Sequence, residues 1–256
     1  MLSMPNGVTA PAYHFSVDDV FSSLFAPAET KQTVADQPAI RFLLDLTQSY
    51  GTQTDLYAFL HDPPEDQARD LSRLPDFVCT QVSRLEGLRF GPHGRDYISP
   101  PHAETLAQQA TTLRELYVAI GRFCDSSKLS RWVRLHYFSE CYEMAPVFLQ
   151  HGAEALLLTD KPAITYRLDE GLKADLIGKG WTAKDGLAFI RSHMRFETCV
   201  AEGLSIAEVC ARAEKIVEET GFVVLFTHEV DLADPRVREM ASACLKTLAQ
   251  AGARSI

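Results

Sequence analysis

Apolar residues recur along this chain in two rhythms that alternate nearly from end to end. Residues 12–17 (Ala12-Tyr13-His14-Phe15-Ser16-Val17) interleave aromatic and β-branched side chains with small or polar ones, the period-two pattern of a strand. Over 38–50 the spacing lengthens to that of a helix through Ile40, Leu43, Leu44 and Leu46, and Gly51 stands where a left-handed cap would end it. The same reading predicts strands at 55–61, 88–91, 132–136, 155–158, 186–196 and 222–226. Helices are predicted over 77–85, 103–123, 206–219 and 235–251. The run Phe222-Val223-Val224-Leu225-Phe226 is apolar throughout, as in a parallel sheet covered on both faces. Asp234 and Pro235 supply the N-cap and first position of the closing helix. The polar stretch 62–75, with Pro63-Pro64, reads as a loop. About seven strands interleaved with helices, without linker, repeat or low-complexity segment, predict one α/β domain over residues 1–256. A parallel barrel is the expected architecture, with an open flavodoxin-like sheet as runner-up.

Composition narrows the function classes. A net charge of −9, with Lys and Arg scattered along the chain, argues against a nucleic-acid partner. No stretch reaches the roughly 20 apolar residues that span a bilayer. Met1-Leu2-Ser3-Met4-Pro5-Asn6-Gly7 lacks the basic flank and apolar stretch of a signal peptide, so a cytoplasmic location is expected. The six cysteines contain no Cys-x-x-Cys pair and read as reduced core thiols rather than a zinc-thiolate site. No Gly-x-Gly-x-x-Gly follows the first strand and no Walker-type Gly-Lys-Ser/Thr occurs, which disfavours dinucleotide and P-loop chemistry. Self-association into a homo-oligomer is left open.

Polar residues cluster where strands end. Asp18 and Asp19 close the first strand, His61 and Asp62 the second, and His93 follows the third. Arg134, His136 and Tyr137 end the fourth, Thr159 and Asp160 the fifth, and Thr227, His228 and Glu229 the last. In an α/β barrel these positions project onto one rim, where active sites lie. Pleat alternation points Asp18 and Asp19 in different directions, so that one can bind a cation while the other acts as a base. The plainer reading is an Asp-Asp turn in which Asp19 caps a helix starting near Val20. Arg191, His193 and Arg195 would share a face of one strand and meet an anionic substrate, unless they are ordinary surface charges. Alternation also turns Thr227 and Glu229 away from His228, leaving Asp160 as the candidate for fixing its tautomer.

Four of these motifs, in order, resemble those of the NodB-type polysaccharide deacetylases. Ser16-Val17-Asp18-Asp19 is similar to that family's Thr-Phe-Asp-Asp, and Phe90-Gly91-Pro92-His93-Gly94 to its histidine motif. Arg134-Leu135-His136-Tyr137-Phe138-Ser139 resembles its Arg-x-Pro-Tyr-Gly, and Val224-Leu225-Phe226-Thr227-His228 the late strand delivering its catalytic histidine. The resemblance spans residues 12–230 and implies a distorted (β/α)7 barrel. It implies Asp18 as general base, oriented by Arg134, and His228 as general acid. Asp19 and His93 become ligands of a divalent metal, zinc foremost, and the Tyr137 backbone N–H faces the oxyanion. Tyr97 stands where the family carries a second histidine, His136 replaces a proline and Val20 a glycine. Asp19 and His93 alone under-fill a zinc site, so His136 or His61 is expected to complete it, the alternative being a site without metal.

The implied function is metal-dependent deacetylation of an N-acetylated carbohydrate in polysaccharide metabolism, on a soluble or nucleotide- or lipid-linked precursor. Two alternatives stand beside it: a metal-independent C–N hydrolase of small amides like the allantoinase-like branch, and a degenerate barrel that binds sugar without turnover.

Overall fold

A computed structural model describes residues 11–61, 69–161 and 168–256. Asp62 and the Pro63-Pro64 pair of the expected loop lie outside the described residues. The strands are β1 (Ala12–Val20), β2 (Thr54–Phe59), β3 (Leu88–Gly94), β4 (Trp132–Val133), β5 (Ala155–Leu158), β6 (Trp181–Lys184), β7 (Leu187–Arg191), β8 (Met194–Arg195), β9 (Phe222–His228) and β10 (Arg254–Ser255). The α-helices are α1 (Ser22–Thr30), α2 (Pro38–Tyr50), α3 (Asp76–Val82), α4 (Leu106–Ile120), α5 (Ala145–Gln150), α6 (Glu170–Lys179), α7 (Phe196–Ala201), α8 (Ile206–Thr220) and α9 (Pro235–Gln250).

The fold is α/β with mostly parallel strands in two sheets. One runs β3-β2-β1-β9-β8, with β10 also paired to β1, and the other runs β4-β5-β7-β6. Between the sheets the ladder thins without vanishing: Phe90 bridges Leu129, and the Ser130 N–H donates to the Phe90 carbonyl at 2.9 Å. At the other seam the chain itself passes from β7 to β8 through Ser192 and His193. The expected parallel α/β architecture is present, but among the described residues the hydrogen-bonded ladder does not close continuously. The strand expected over 186–196 is divided, and β6 pairs antiparallel to β7 around Asp185-Gly186, both at positive φ (53° and 82°), the geometry of a two-residue hairpin.

β1 explains the layering. Its odd residues Tyr13, Phe15 and Val17 pack outward in one core with Ile40 and Leu43 of α2, Val209 of α8 and Leu245 of α9. Three of its even residues point inward and are polar: His14 meets Asp55 at 3.0 Å, while Ser16 and Asp18 meet Arg134. A strand covered on both faces thus carries an apolar and an ionic side, and the ionic side leads to the rim. Helix ends follow the sequence signals: Gly51 and Gly221 adopt left-handed caps (φ 68° and 88°), and the Asp234 side chain accepts from the Arg236 N–H at 2.8 Å.

Candidate active site

The pair Asp18–Asp19 departs from pleat alternation. Between Val17 and Val20 the register against β2 shifts, and Asp19 takes a left-handed backbone, φ 58°, uncommon outside Gly although Asp and Asn tolerate it better than most. The bulge turns both carboxylates into one cavity of about 190 Å³, instead of to opposite faces as expected. Asp19 does not cap α1 either. Glu229, directly after the neighbouring strand β9, does so instead: its two oxygens accept from the backbone N–H groups of Phe21 (3.1 Å), Ser22 (2.8 Å) and Ser23 (2.8 Å).

Asp19 faces His93 from β3 and His136 from the segment after β4. Its Oδ1 lies 2.9 Å from His93 Nε2 and 3.5 Å from His136 Nδ1, and those two nitrogens are 3.3 Å apart. Backbone carbonyls fix the tautomers. His93 Nδ1 donates to the Arg134 carbonyl at 2.7 Å, and His136 Nε2 donates to the Tyr97 carbonyl at 2.9 Å. A carbonyl can only accept, so each neutral ring turns a bare nitrogen toward Asp19. Among the described residues, Asp19 Oδ1 is accordingly buried without a hydrogen-bond donor. Three lone pairs facing one another call for a cation. Tetrahedral zinc with bonds near 2.0–2.1 Å holds its ligand atoms roughly 3.3 Å apart, and two imidazoles with one carboxylate form a catalytic donor set with an open position. The residues present therefore fit a divalent metal, and the carbonyl bonds are the outer-shell contacts that orient metal-binding histidines. Burial alone would raise the Asp19 pKa; protons on the His136 and His93 nitrogens that face it would outweigh burial and hold the carboxyl well below the usual range, and a cation in their place acts in the same direction. Tyr97, standing where the resemblance has a histidine, contributes its carbonyl to His136 in place of a side-chain ligand. His61 lies elsewhere, 3.6 Å from Asp70.

Behind the cavity Arg134 is fully buried. Its guanidinium donates to Asp18 Oδ1 at 2.9 Å, Ser16 at 2.7 Å and Ser192 at 3.0 Å, and it lies 4.0 Å over the Phe226 ring. Tyr137 and Phe138 follow with consecutive left-handed backbones, φ 55° and 56°, which set both on the cavity wall.

On the opposite side stands His228. Its Nδ1 is 2.6 Å from Glu197 Oε1 and 3.5 Å from Asp231. Burial would lower its pKa, but the bond to Glu197 and the charges of Asp18, Glu197 and Asp19 prevail and raise it to about 9. The imidazolium is therefore the resident form at neutral pH, with Nε2 as its remaining donor. The expected partner, Asp160, is corrected by this geometry: Asp160 accepts from Arg195 Nη2 at 3.0 Å, while Glu197 holds the histidine and also accepts from Thr227 at 2.8 Å. Glu197 is the second residue of α7, just after β8, and no local spacing links it to residue 228. The shared face of Arg191, His193 and Arg195 is corrected too. Arg191 and Arg195 both reach Asp160, but His193 turns into the sheet, donating its N–H to the Val224 carbonyl and accepting the Val224 N–H at Nδ1, each at 2.9 Å.

No protein-family model and no curated protein sequence matches the chain. Solved structures do. The catalytic domain of a peptidoglycan N-acetylglucosamine deacetylase from Eubacterium rectale matches at 10% identity over 99% of this chain and 91% of its own, with a TM-score of 0.50. A protein of Mycobacterium smegmatis, assigned as a polysaccharide deacetylase, matches at 13% identity over 98% and 86%, TM-score 0.53. The 4-alpha-glucanotransferase of Thermococcus litoralis matches at 9% identity over 95% of this chain and 37% of its own, TM-score 0.57. The likeness is one of fold. Because a glucanotransferase shares it, the chemistry must be argued from the side chains.

Proposed function

We propose that the chain is a metal-dependent hydrolase that removes an acyl group from the nitrogen of a carbohydrate. The observation that carries this reading is the trio of lone pairs at Asp19, His93 and His136, facing one cavity with Asp18 and an imidazolium at His228. A divalent cation held by the trio would supply Lewis acidity toward the scissile carbonyl. Asp18, held by Arg134, takes the proton of the attacking water, and the Tyr137 backbone N–H faces the developing oxyanion. His228 Nε2 gives its proton to the departing nitrogen, so water adds across the C–N bond to leave a carboxylate and an amine. Glu197 holds the ring in place and keeps it charged. Because these groups come from both ends of the sequence, the reading treats residues 1–256 as one catalytic domain. It is supported in fold alone by the deacetylase structures, whose names specify peptidoglycan N-acetylglucosamine or polysaccharide.

The test is amine release from N-acyl glucosamines by the purified protein after chelation and again after adding zinc or cobalt. Turnover is expected only with metal, and His136→Ala is expected to lose bound zinc and turnover together. Undiminished turnover in chelator would assign the protein to metal-free amide hydrolysis, and sugar binding without turnover under every condition would assign it to binding alone.

A further inference from the structure

A second hollow of about 590 Å³ opens from the catalytic cavity and shares Asp19 and Tyr97 with it. Its walls are largely apolar: Pro38, Ala39, Phe59, Tyr97, Val230 and Leu232. Tyr97 and Val230 are 56% and 75% exposed, large apolar surface left in water beside a reactive site. Glu229 also lines the groove, but both its oxygens already accept backbone N–H groups of Phe21, Ser22 and Ser23. A sugar unit brings hydroxyls that need partners; Ser22 and Ser23 stand at one edge of the groove, but the greater part of its wall is apolar.

The two hollows join at Asp19 and Tyr97. His228, Arg195, Tyr137 and Phe138 line the catalytic cavity and not the groove, whereas Asp19 belongs to both. In the hydrolysis above the departing nitrogen belongs beside His228 and the carbonyl beside Asp19, so the groove extends from the carbonyl end. We infer that it is an acyl-chain subsite and that the preferred substrate carries an N-acyl group longer than acetyl. The inference rests on the deacylase reading. Water adds across the C–N bond as before, and the chain leaves as a longer carboxylate.

The experiment measures binding and turnover separately. N-acetyl-, N-hexanoyl- and N-octanoyl-glucosamine are titrated calorimetrically into the full chain in chelator, then offered to the zinc-loaded protein. A fully buried methylene strengthens binding roughly fourfold, and the groove is open, so an overall gain of at least tenfold in affinity from acetyl to octanoyl is expected. Val230→Glu sets a charge on an already exposed wall position, and Ala39→Trp fills the groove. Each is expected to cut the octanoyl-to-acetyl ratio of affinities at least tenfold. Affinity independent of chain length, or a ratio untouched in both variants, would overturn the subsite. Chain-length-dependent binding with no hydrolysis of any acyl sugar would keep the subsite and remove the deacylase reading instead.

Discussion

His228 is the side chain whose protonation the proposed chemistry depends on, and Glu197 sets it. The folded pKa of His228 is raised to about 9, so the acid form persists through neutrality and activity is expected to fall as pH rises through about 9. Glu197→Gln removes the charge while keeping an acceptor for Nδ1. The alkaline limb is then expected to move toward the ordinary histidine value, read from a pH–rate profile and from the imidazole NMR titration. An unmoved limb would mean that another group titrates there. His228→Ala is expected to lose roughly 10²–10⁴-fold in turnover while metal content stays intact, because the trio at Asp19 does not include it. If His228→Ala instead loses zinc, the roles assigned to these residues are wrong. Arg134 raises a different issue. It is fully buried with Asp18 as its paired carboxylate, and removing one partner of such a pair typically costs about 3–5 kcal/mol. Asp18→Asn strands that guanidinium charge, so it is expected to lower the urea midpoint as well as abolish turnover. A double variant Asp18→Asn/Arg134→Met is expected to recover part of the stability and none of the activity.

Among the elements, α1 depends for its first turn on a residue far along the chain. Phe21, at its N-cap, offers no capping side chain, and the first-turn amides are satisfied by Glu229 at the end of β9. Glu229→Ala should therefore cost about 1–3 kcal/mol in unfolding free energy, with faster amide exchange at Phe21, Ser22 and Ser23. Glu229→Gln, which keeps one acceptor oxygen, should cost less. Exchange that stays slow at those amides would show that the cap is not what holds the turn. This contact also marks what local pattern can convey. β5 appears with the bounds its apolar run suggests, and β9 extends its five apolar residues only by Thr227 and His228, because a strand buried on both faces must be apolar locally. β4 shrinks to Trp132–Val133, because the next residues turn to deliver Arg134 and His136 to the cavity. The β6–β7 hairpin had a signal in Asp185-Gly186, the dipeptide that favours positive φ at both turn positions, whereas the single-strand reading of 186–196 took only its apolar content. Asp18, Asp19, His93, Arg134, His136 and His228 were legible as strand-end polar residues and meet in one cavity. Glu197 was not, since its partner lies 31 residues away and only the docking of β8 beside β9 joins them. Asp19 was half legible: its identity is in the sequence, but its direction depends on the bulge that breaks alternation.

For the molecule as a whole, buried histidines with opposite shifts set the dependence of stability on pH. His193 fills the seam between β7 and β8 with its ring against the Val224 N–H, and burial lowers its pKa to about 3. Burial also lowers the pKa of His14, although its partner Asp55 pulls the other way. Between about 6.5 and 3 the unfolded chain binds a proton at residue 193 that the native protein refuses. Stability must fall as pH falls through that window, by about 1.4 kcal/mol per pH unit for each histidine fully affected. His228 works in reverse. Its native pKa is raised, so its contribution is complete below the unfolded value near 6.5 and is lost as pH climbs through about 9. With metal removed, the histidines together are expected to place the maximum of stability near pH 6.5, measured as the urea midpoint across pH 4–10. His193→Asn provides the sharper check. The Asn oxygen can still accept the Val224 N–H, so the seam keeps its hydrogen bond while the titrating group disappears. The acid limb is expected to lose about one proton's worth of slope, and the alkaline limb to stay as it was. An acid limb that keeps its full slope in a folded His193→Asn protein would mean that the seam histidine is not what makes the fold sensitive to acid.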